Sequence, residues 1–225
     1  MKLSRLFLNP VSRDVARAQS DSQALHRRVM EMFGTADGPA RAAHGVLFRL
    51  EASERDGTLV LLVQSRDAPS LDRLPDHFLD PRAGGDASAT TDLAPLVGRL
   101  LAGSRFRFRL RANPTRRIDT KSAPDGARRN GRRVPLRTPD ARIAWLERKL
   151  SLAGFALVGG GEGCLMSPDG LQRGKRGDGR LTHEGVVYEG IVSVVDPGLA
   201  RAALEHGVGP AKAYGFGLLS LSPCT

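Results

Sequence analysis

The sequence predicts an α+β fold built from two tandem ferredoxin-like domains, each running β-α-β-β-α-β. Three observations predict it. Short β-rich runs alternate with helical patterns, and the alternation occurs twice, once on each side of residue 98. The helical patterns carry apolar residues at helical spacing, i, i+4, i+7 and i+8 in the first half and i, i+3 and i+7 in the second. Gly, Pro and Asp punctuate the junctions. The predicted domains are 1–98 and 99–225, and a single larger α+β domain is the other arrangement this order allows.

In the first half, Leu3 to Leu8 reads as a strand. A helix then starts at Ser20 or Asp21 and places Leu25, Val29, Met32 and Phe33 on one stripe, with Gly34 as its stop. Gly45 to Ala52 and Thr58 to Ser65 are β-rich and joined through Asp56-Gly57, a hairpin turn. A short helix is expected over Ser70 to Leu79, a soft stretch over 84–92, and a fourth strand near Leu93 to Val97. The second half repeats the order. Arg105 to Arg111 is a strand; Thr138-Pro139-Asp140 opens a helix with Pro at its first position, striped by Ile143, Leu146 and Leu150. Phe155 to Val158 and Val186 to Val195 are strands, Asp196-Pro197 opens a helix closed by Gly207, and Leu218 to Leu221 is the last strand.

The chain has 225 residues, 40% of them apolar, and a net charge of +10. The excess is local. Between Arg105 and Arg137 lie twelve Arg or Lys against two acids, Asp119 and Asp125, and the remainder of the chain is balanced. So concentrated a basic patch is the footprint of a polyanion, nucleic acid first; a solvated loop without a partner is the alternative. Cys164 and Cys224 stand far apart with no C-x-x-C, which excludes a disulfide scaffold and a zinc signature. The N-terminus has too short an apolar run for a signal peptide, and no run reaches membrane-spanning length. A soluble, cytoplasmic protein is expected.

Within the basic window, Arg105, Arg107, Arg109 and Arg111 alternate with Phe106, Phe108 and Leu110. Period two puts all four arginines on one sheet face, where like charges repel unless an anion or neighbouring acids dilute them. Residues 113–135, with Arg128, Arg129, Arg132 and Arg133, read as a long basic loop. Near the end, "HGVGPAKAYGFGLLSLSP" (206–223) is rich in glycine and carries Lys212. Backbone N–H groups bared by glycine suit a phosphate. It is not a P-loop, because G-K-[ST] is missing and a strand rather than a helix follows. A tight turn packed by Tyr214 and Phe216 is the structural alternative. "GGGEG" (159–163) opens no helix and is not a dinucleotide site.

"LSRLFLNPVSRD", "LHRRVM", "FRFRLRANPTRR…GRRVPL" and "GVGPAKAYGFGLLSLSP" together resemble the CasE family, the endoribonuclease subunit of the subtype I-E CRISPR Cascade complex. The likeness spans both halves in order. It implies paired ferredoxin-like domains and a metal-independent cut in which the 2′-hydroxyl attacks the neighbouring phosphate, leaving a 2′,3′-cyclic phosphate and a 5′-hydroxyl. No cofactor is implied. The implied partners are the CRISPR repeat RNA hairpin and the other Cascade subunits, with no membrane. The family's histidine maps to His26, so the first helix is the catalytic one. His26 sits about 100° round the helix from Leu25, at the edge of the buried stripe, and an imidazole titrates near neutrality. His44, His77, His183 and His206 carry weaker signals and no metal-ligand spacing.

The family often has tyrosine three residues before that histidine; here Gln23 stands there, and Ser20-x-x-Gln23 also reads as a capping box. Arg27, Arg28 or a lysine elsewhere is expected to stabilise the transition state. The expected RNA contacts are Arg27, Arg109, Arg111, Arg128, Arg129, Arg132 and Arg133. To these the hairpin-like "QRGKRG" adds Arg173, Lys175 and Arg176, and the closing segment adds Gly209, Lys212 and Gly215. A non-cleaving RNA-binding subunit is the competing function, and a basic ribosome- or DNA-associated protein a distant third.

Overall fold

The structure, a computed structural model, describes residues 1–35, 40–53, 56–118, 132–176 and 179–224; of Ala40, Arg132, Lys175, Arg176 and 179–181 it describes the backbone alone. The elements in chain order are β1 (Lys2–Leu8), α1 (Arg13–Ser20), α2 (Ser22–Glu31), α3 (Ala40–Ala43), β2 (Leu47–Ala52), β3 (Leu59–Ser65), β4 (Ser88–Asp92) and α4 (Ala94–Val97). Then follow β5 (Arg105–Ala112), β6 (Thr115–Ile118), β7 (Arg132–Pro135), α5 (Pro139–Leu152), β8 (Phe155–Leu157), β9 (Cys164–Arg176), β10 (Gly179–Val194), α6 (Pro197–His206) and β11 (Leu219–Pro223).

The first sheet has the order β2-β3-β1-β4 and the second β11-β5-β10-β8, with β9 paired to β10. Numbered within its own half, each sheet reads 2-3-1-4, the ferredoxin-like order, with antiparallel neighbours throughout. Each sheet has its own core. Leu25 and Val29 of α2 pack with Leu6, Leu8, Phe48 and Leu61 under the first. Trp145, Leu146 and Leu150 of α5 pack with Phe106, Phe108, Leu110 and Tyr188 under the second. Leu96 and Val97 already lean on the second core.

The helix starts follow from their caps. Thr138 accepts the amide of Ala141 for α5, and Asp196 accepts that of Leu199 for α6, each with Pro in the first turn. Asp21 caps α2 by accepting the Gln23 amide at 2.9 Å. This corrects the Ser20–Gln23 capping box: Ser20 ends the separate helix α1 and its hydroxyl donates to the Arg17 carbonyl. Two further expectations in the first half are corrected. No α-helix forms over Ser70 to Leu79; one 3-10 turn, Leu71–Arg73, is cut short before Pro75, and His77 takes φ +60° while Phe78 plugs the core. The fourth strand is Ser88–Asp92, earlier than expected, because Asp92 accepts the Ala94 amide and Pro95 starts α4 there. In the second half, β10 starts far before Val186 and forms a long hairpin with β9.

The halves are joined by buried polar groups. Arg49, 2% exposed, donates to the carbonyls of Leu218 (3.2 Å) and Arg109 (3.3 Å) and to Ser220 Oγ (3.0 Å). Gln64 donates to the Leu204 carbonyl at 2.6 Å.

Candidate active site

α2 buries its Leu25–Val29 stripe in the first core and turns His26 to the edge of it. The half-buried imidazole stacks on Phe48 of β2, with ring centroids 6.3 Å apart and planes 26° from parallel. Its Nδ1 is buried and has no hydrogen-bond partner among the described residues. Protonating the ring would strand charge in this half-dry place, and burial therefore lowers its pKa below 6.5; the Arg41 charge pushes the same way. The result is a neutral imidazole at neutral pH, fit to accept a proton.

Three elements close around α2. β2 brings Phe48, the 3-10 turn Lys212–Tyr214 touches both α2 and β2, and β9 crosses the helix start. The crossing is tight at Gly174, where a Cβ would lie 2.5 Å from Ser22 Oγ and 3.3 Å from Asp21 Oδ1. The basic hairpin is thereby seated on the first turn of the His26 helix, with Arg173 exposed beside the contact. The side chains of Lys175 and Arg176 lie outside the described residues. Arg28 is held by Asp14 and Glu31, each at 2.7 Å. Arg27 is exposed and borders a groove with Asp14 and Arg17 on the far side of α2 from its buried stripe.

The glycine segment has internal reasons for its glycines. Gly215 has φ +80°, and a Cβ there would come within 3.3 Å of both Phe48 and Arg111. At Gly209, φ is +86° and a Cβ would meet Trp145 at 3.0 Å. Phe216 is fully buried, and Tyr214 stacks on His183 at 4.8 Å. The tight packing and positive φ at Gly209 and Gly215 match the structural alternative, a turn packed by Tyr214 and Phe216. Lys212 is different: it is half-buried, and its pKa is lowered first by burial and then by Arg41 and Lys149.

The row of strand arginines meets carboxylates, one of the two outcomes its alternation allowed. Arg109 pairs with Glu189 at 2.6 Å and with Glu51 at 3.0 Å. Arg111 pairs with Asp169 and lies over the Phe216 ring at 4.6 Å. Acids on other strands thus pair with Arg109 and Arg111, while Arg105 and Arg107 stay exposed. Arg128 and Arg129 lie outside the described residues, and so does the side chain of Arg132. Arg133 is exposed on β7, donating to Thr115 Oγ1 at 3.3 Å.

Sequence reasoning missed Arg41, since "ARAA" carries no pattern, although its charge reaches both His26 and Lys212. His183, one of the weaker histidine signals in the sequence, pairs with Asn113 Nδ2 through Nδ1 at 2.8 Å. Among the described residues, no three His, Cys, Asp or Glu side chains gather as a metal-holding group, and no helix is long and apolar enough to cross a membrane.

Comparison with known proteins shows the family. A family model described as "CRISPR associated protein" matches residues 1–223. The CRISPR-associated endoribonuclease Cse3 of Thermus thermophilus is 34% identical over 231 residues, covering 99% of this chain and all of the relative. The CRISPR system Cascade subunit CasE of Escherichia coli K12 is 32% identical over 216 residues, covering 93% of this chain and 96% of the relative. A solved structure of endoribonuclease Cse3 bound to a 19-nucleotide RNA superposes with a TM-score of 0.79 at 33% identity, covering 99% of this chain and all of that one. The chain belongs to the CasE/Cse3 family of CRISPR-associated proteins.

Proposed function

We propose that this protein is an endoribonuclease that binds the hairpin of a CRISPR repeat RNA, cuts the precursor without a metal, and stays as a subunit of a Cascade complex in the cytoplasm. The observation that carries this reading is His26: a neutral, half-buried imidazole on the helix that the basic β9–β10 hairpin crosses. The names of the relatives, an endoribonuclease and a Cascade subunit, point the same way.

In the proposed step, His26 takes the proton of the 2′-hydroxyl through Nε2, since Nδ1 is buried. The 2′-oxygen bonds to phosphorus, the bond from phosphorus to the 5′-oxygen breaks, and that oxygen takes up a proton. The products are a 2′,3′-cyclic phosphate and a 5′-hydroxyl. Charge gathering on the phosphoryl oxygens is met by Arg41, the cation whose field reaches His26. Gln23 has no acid–base role. Residues 1–98 form the unit carrying the catalytic helix, and 99–225 the unit carrying the basic loop and the glycine segment.

His26→Ala tests the reading. Single-turnover cleavage of the repeat RNA slows by roughly 10² to 10⁴-fold while binding stays near wild type. A wild-type rate in that variant overturns it. The second reading, a non-cleaving RNA-binding subunit, is favoured by Gln23 standing where the family often has tyrosine, and it gives tight binding with no product.

A further inference from the structure

Away from His26, Arg133, Lys149 and Lys212 converge on a pocket of about 370 Å³ walled by the backbone from Gly207 to Pro210. Among the described residues, no acidic side chain lines it, and none of the three cations makes an ion pair. That sets them apart from Arg28, Arg49, Arg109, Arg111 and Arg142, which are all matched with carboxylates. The gathering has an electrostatic cost. Burial lowers the pKa of Lys149, and Arg148 and Arg133 lower it further; Lys212 is lowered by burial, then Arg41 and Lys149. Like charges held together over an opening are relieved by an anion.

The volume exceeds what one inorganic ion needs and falls in the range of small-ligand pockets. One wall is apolar, with Leu152 65% exposed and Leu199 47% exposed. Cations on one side and bare leucine on the other match a nucleotide, whose phosphate is charged and whose base has an apolar face. The pocket also adjoins the His26 helix through Lys212. Lys212 belongs to the turn that touches α2, and Arg133 lies on the β6–β7 ribbon, whose Arg116 and Arg117 are exposed.

Resting on the endoribonuclease reading, we propose that this pocket is a second RNA subsite, which holds a backbone phosphate and its nucleotide from the single strand flanking the hairpin, with Lys149 as its dedicated phosphate ligand. The shared chemistry is a phosphate anion; the source is the RNA strand rather than free phosphate.

The test compares the wild-type chain with Lys149→Ala, Lys149→Arg and Lys149→Glu on two RNAs, the bare repeat hairpin and the hairpin with short single-stranded extensions, at several salt concentrations. Lys149→Ala weakens binding of the extended RNA roughly tenfold and lowers its salt slope by about 0.7. Lys149→Glu weakens it more, Lys149→Arg restores it, and the bare hairpin is unaffected throughout. Unchanged affinity and slope for the extended RNA overturn the inference, and so does an equal loss on both RNAs. Stabilisation of the wild type by inorganic phosphate that Lys149→Ala abolishes, with RNA affinity intact, marks a free-anion site and overturns it. Loss of an acidic protein partner from Lys149→Glu with RNA affinity intact does the same. Failure of the endoribonuclease reading looks different: the wild type itself then neither prefers nor cuts the repeat RNA.

Discussion

The imidazole of His26 lies against the ring of Phe48, 6.3 Å between centroids, a contact that links α2 to β2; burial, then the Arg41 charge, lowers the pKa of the histidine. A base buried against an aromatic ring stays neutral further into acid, so its chemistry has a definite pH signature.

Cleavage by the wild type rises as pH climbs through the lowered His26 pKa, below 6.5, and is flat above it. Arg41→Gln removes a positive charge that opposes protonation, so the folded-state pKa rises and the acid limb shifts to higher pH. The pH dependence of single-turnover cleavage checks both statements; a limb that moves to lower pH in Arg41→Gln contradicts them.

Gly174→Ala sets a methyl group against Ser22 Oγ, 2.5 Å from the position of the new Cβ. The hairpin lifts from α2, and cleavage falls by up to about 10²-fold, because catalysis tolerates little misplacement. Ser22→Gly in the same chain clears the space and restores part of the rate. The circular dichroism of the single variant stays native.

Arg49→Met removes one guanidinium that donates to two carbonyls and a hydroxyl across the two halves. The acceptors are left unpaired, and denaturant unfolding shows a loss of about 3 kcal/mol. Arg49→Lys does not recover it, because an ammonium cannot reproduce the fork.

Arg111 and Lys212 separate fold from binding. Lys212→Ala flattens the dependence of log affinity on log salt by about one contact, roughly 0.7 to 0.9. Arg111→Met, whose charge Asp169 already neutralises, lowers stability and leaves that slope nearly unchanged. Equal slopes for wild type and Lys212→Ala place the RNA elsewhere.

The helix starts at Thr138 and Asp196 were legible because a capping side chain and a following proline act locally. The stripe of α2 and the alternation of β5 were legible for the same reason: period alone sorts the buried residues. α1 was not, since two turns with only Val15 and Ala18 buried leave little periodicity. β4 escaped because SATTD is almost wholly exposed and is a strand by pairing with β1. At the site, His26 came from the resemblance supported by its place beside Leu25. Arg41, Lys149 and the Arg49 bridge depend on contacts between distant segments, which no local pattern encodes. The carboxylate partners of the arginine row, Glu51, Asp169 and Glu189, were not legible because they sit on other strands.

The central claim is that the RNA's own 2′-hydroxyl makes the cut, with His26 as base. The most direct measurement incubates the protein in EDTA with two repeat RNAs, one unmodified and one carrying a single 2′-deoxynucleotide before the scissile phosphate, and reads the product ends. Cleavage of the unmodified RNA to a 2′,3′-cyclic phosphate and a 5′-hydroxyl, with the deoxy RNA bound but intact, is the predicted result. Cleavage of the deoxy RNA, or activity that vanishes in EDTA and returns with magnesium, contradicts it.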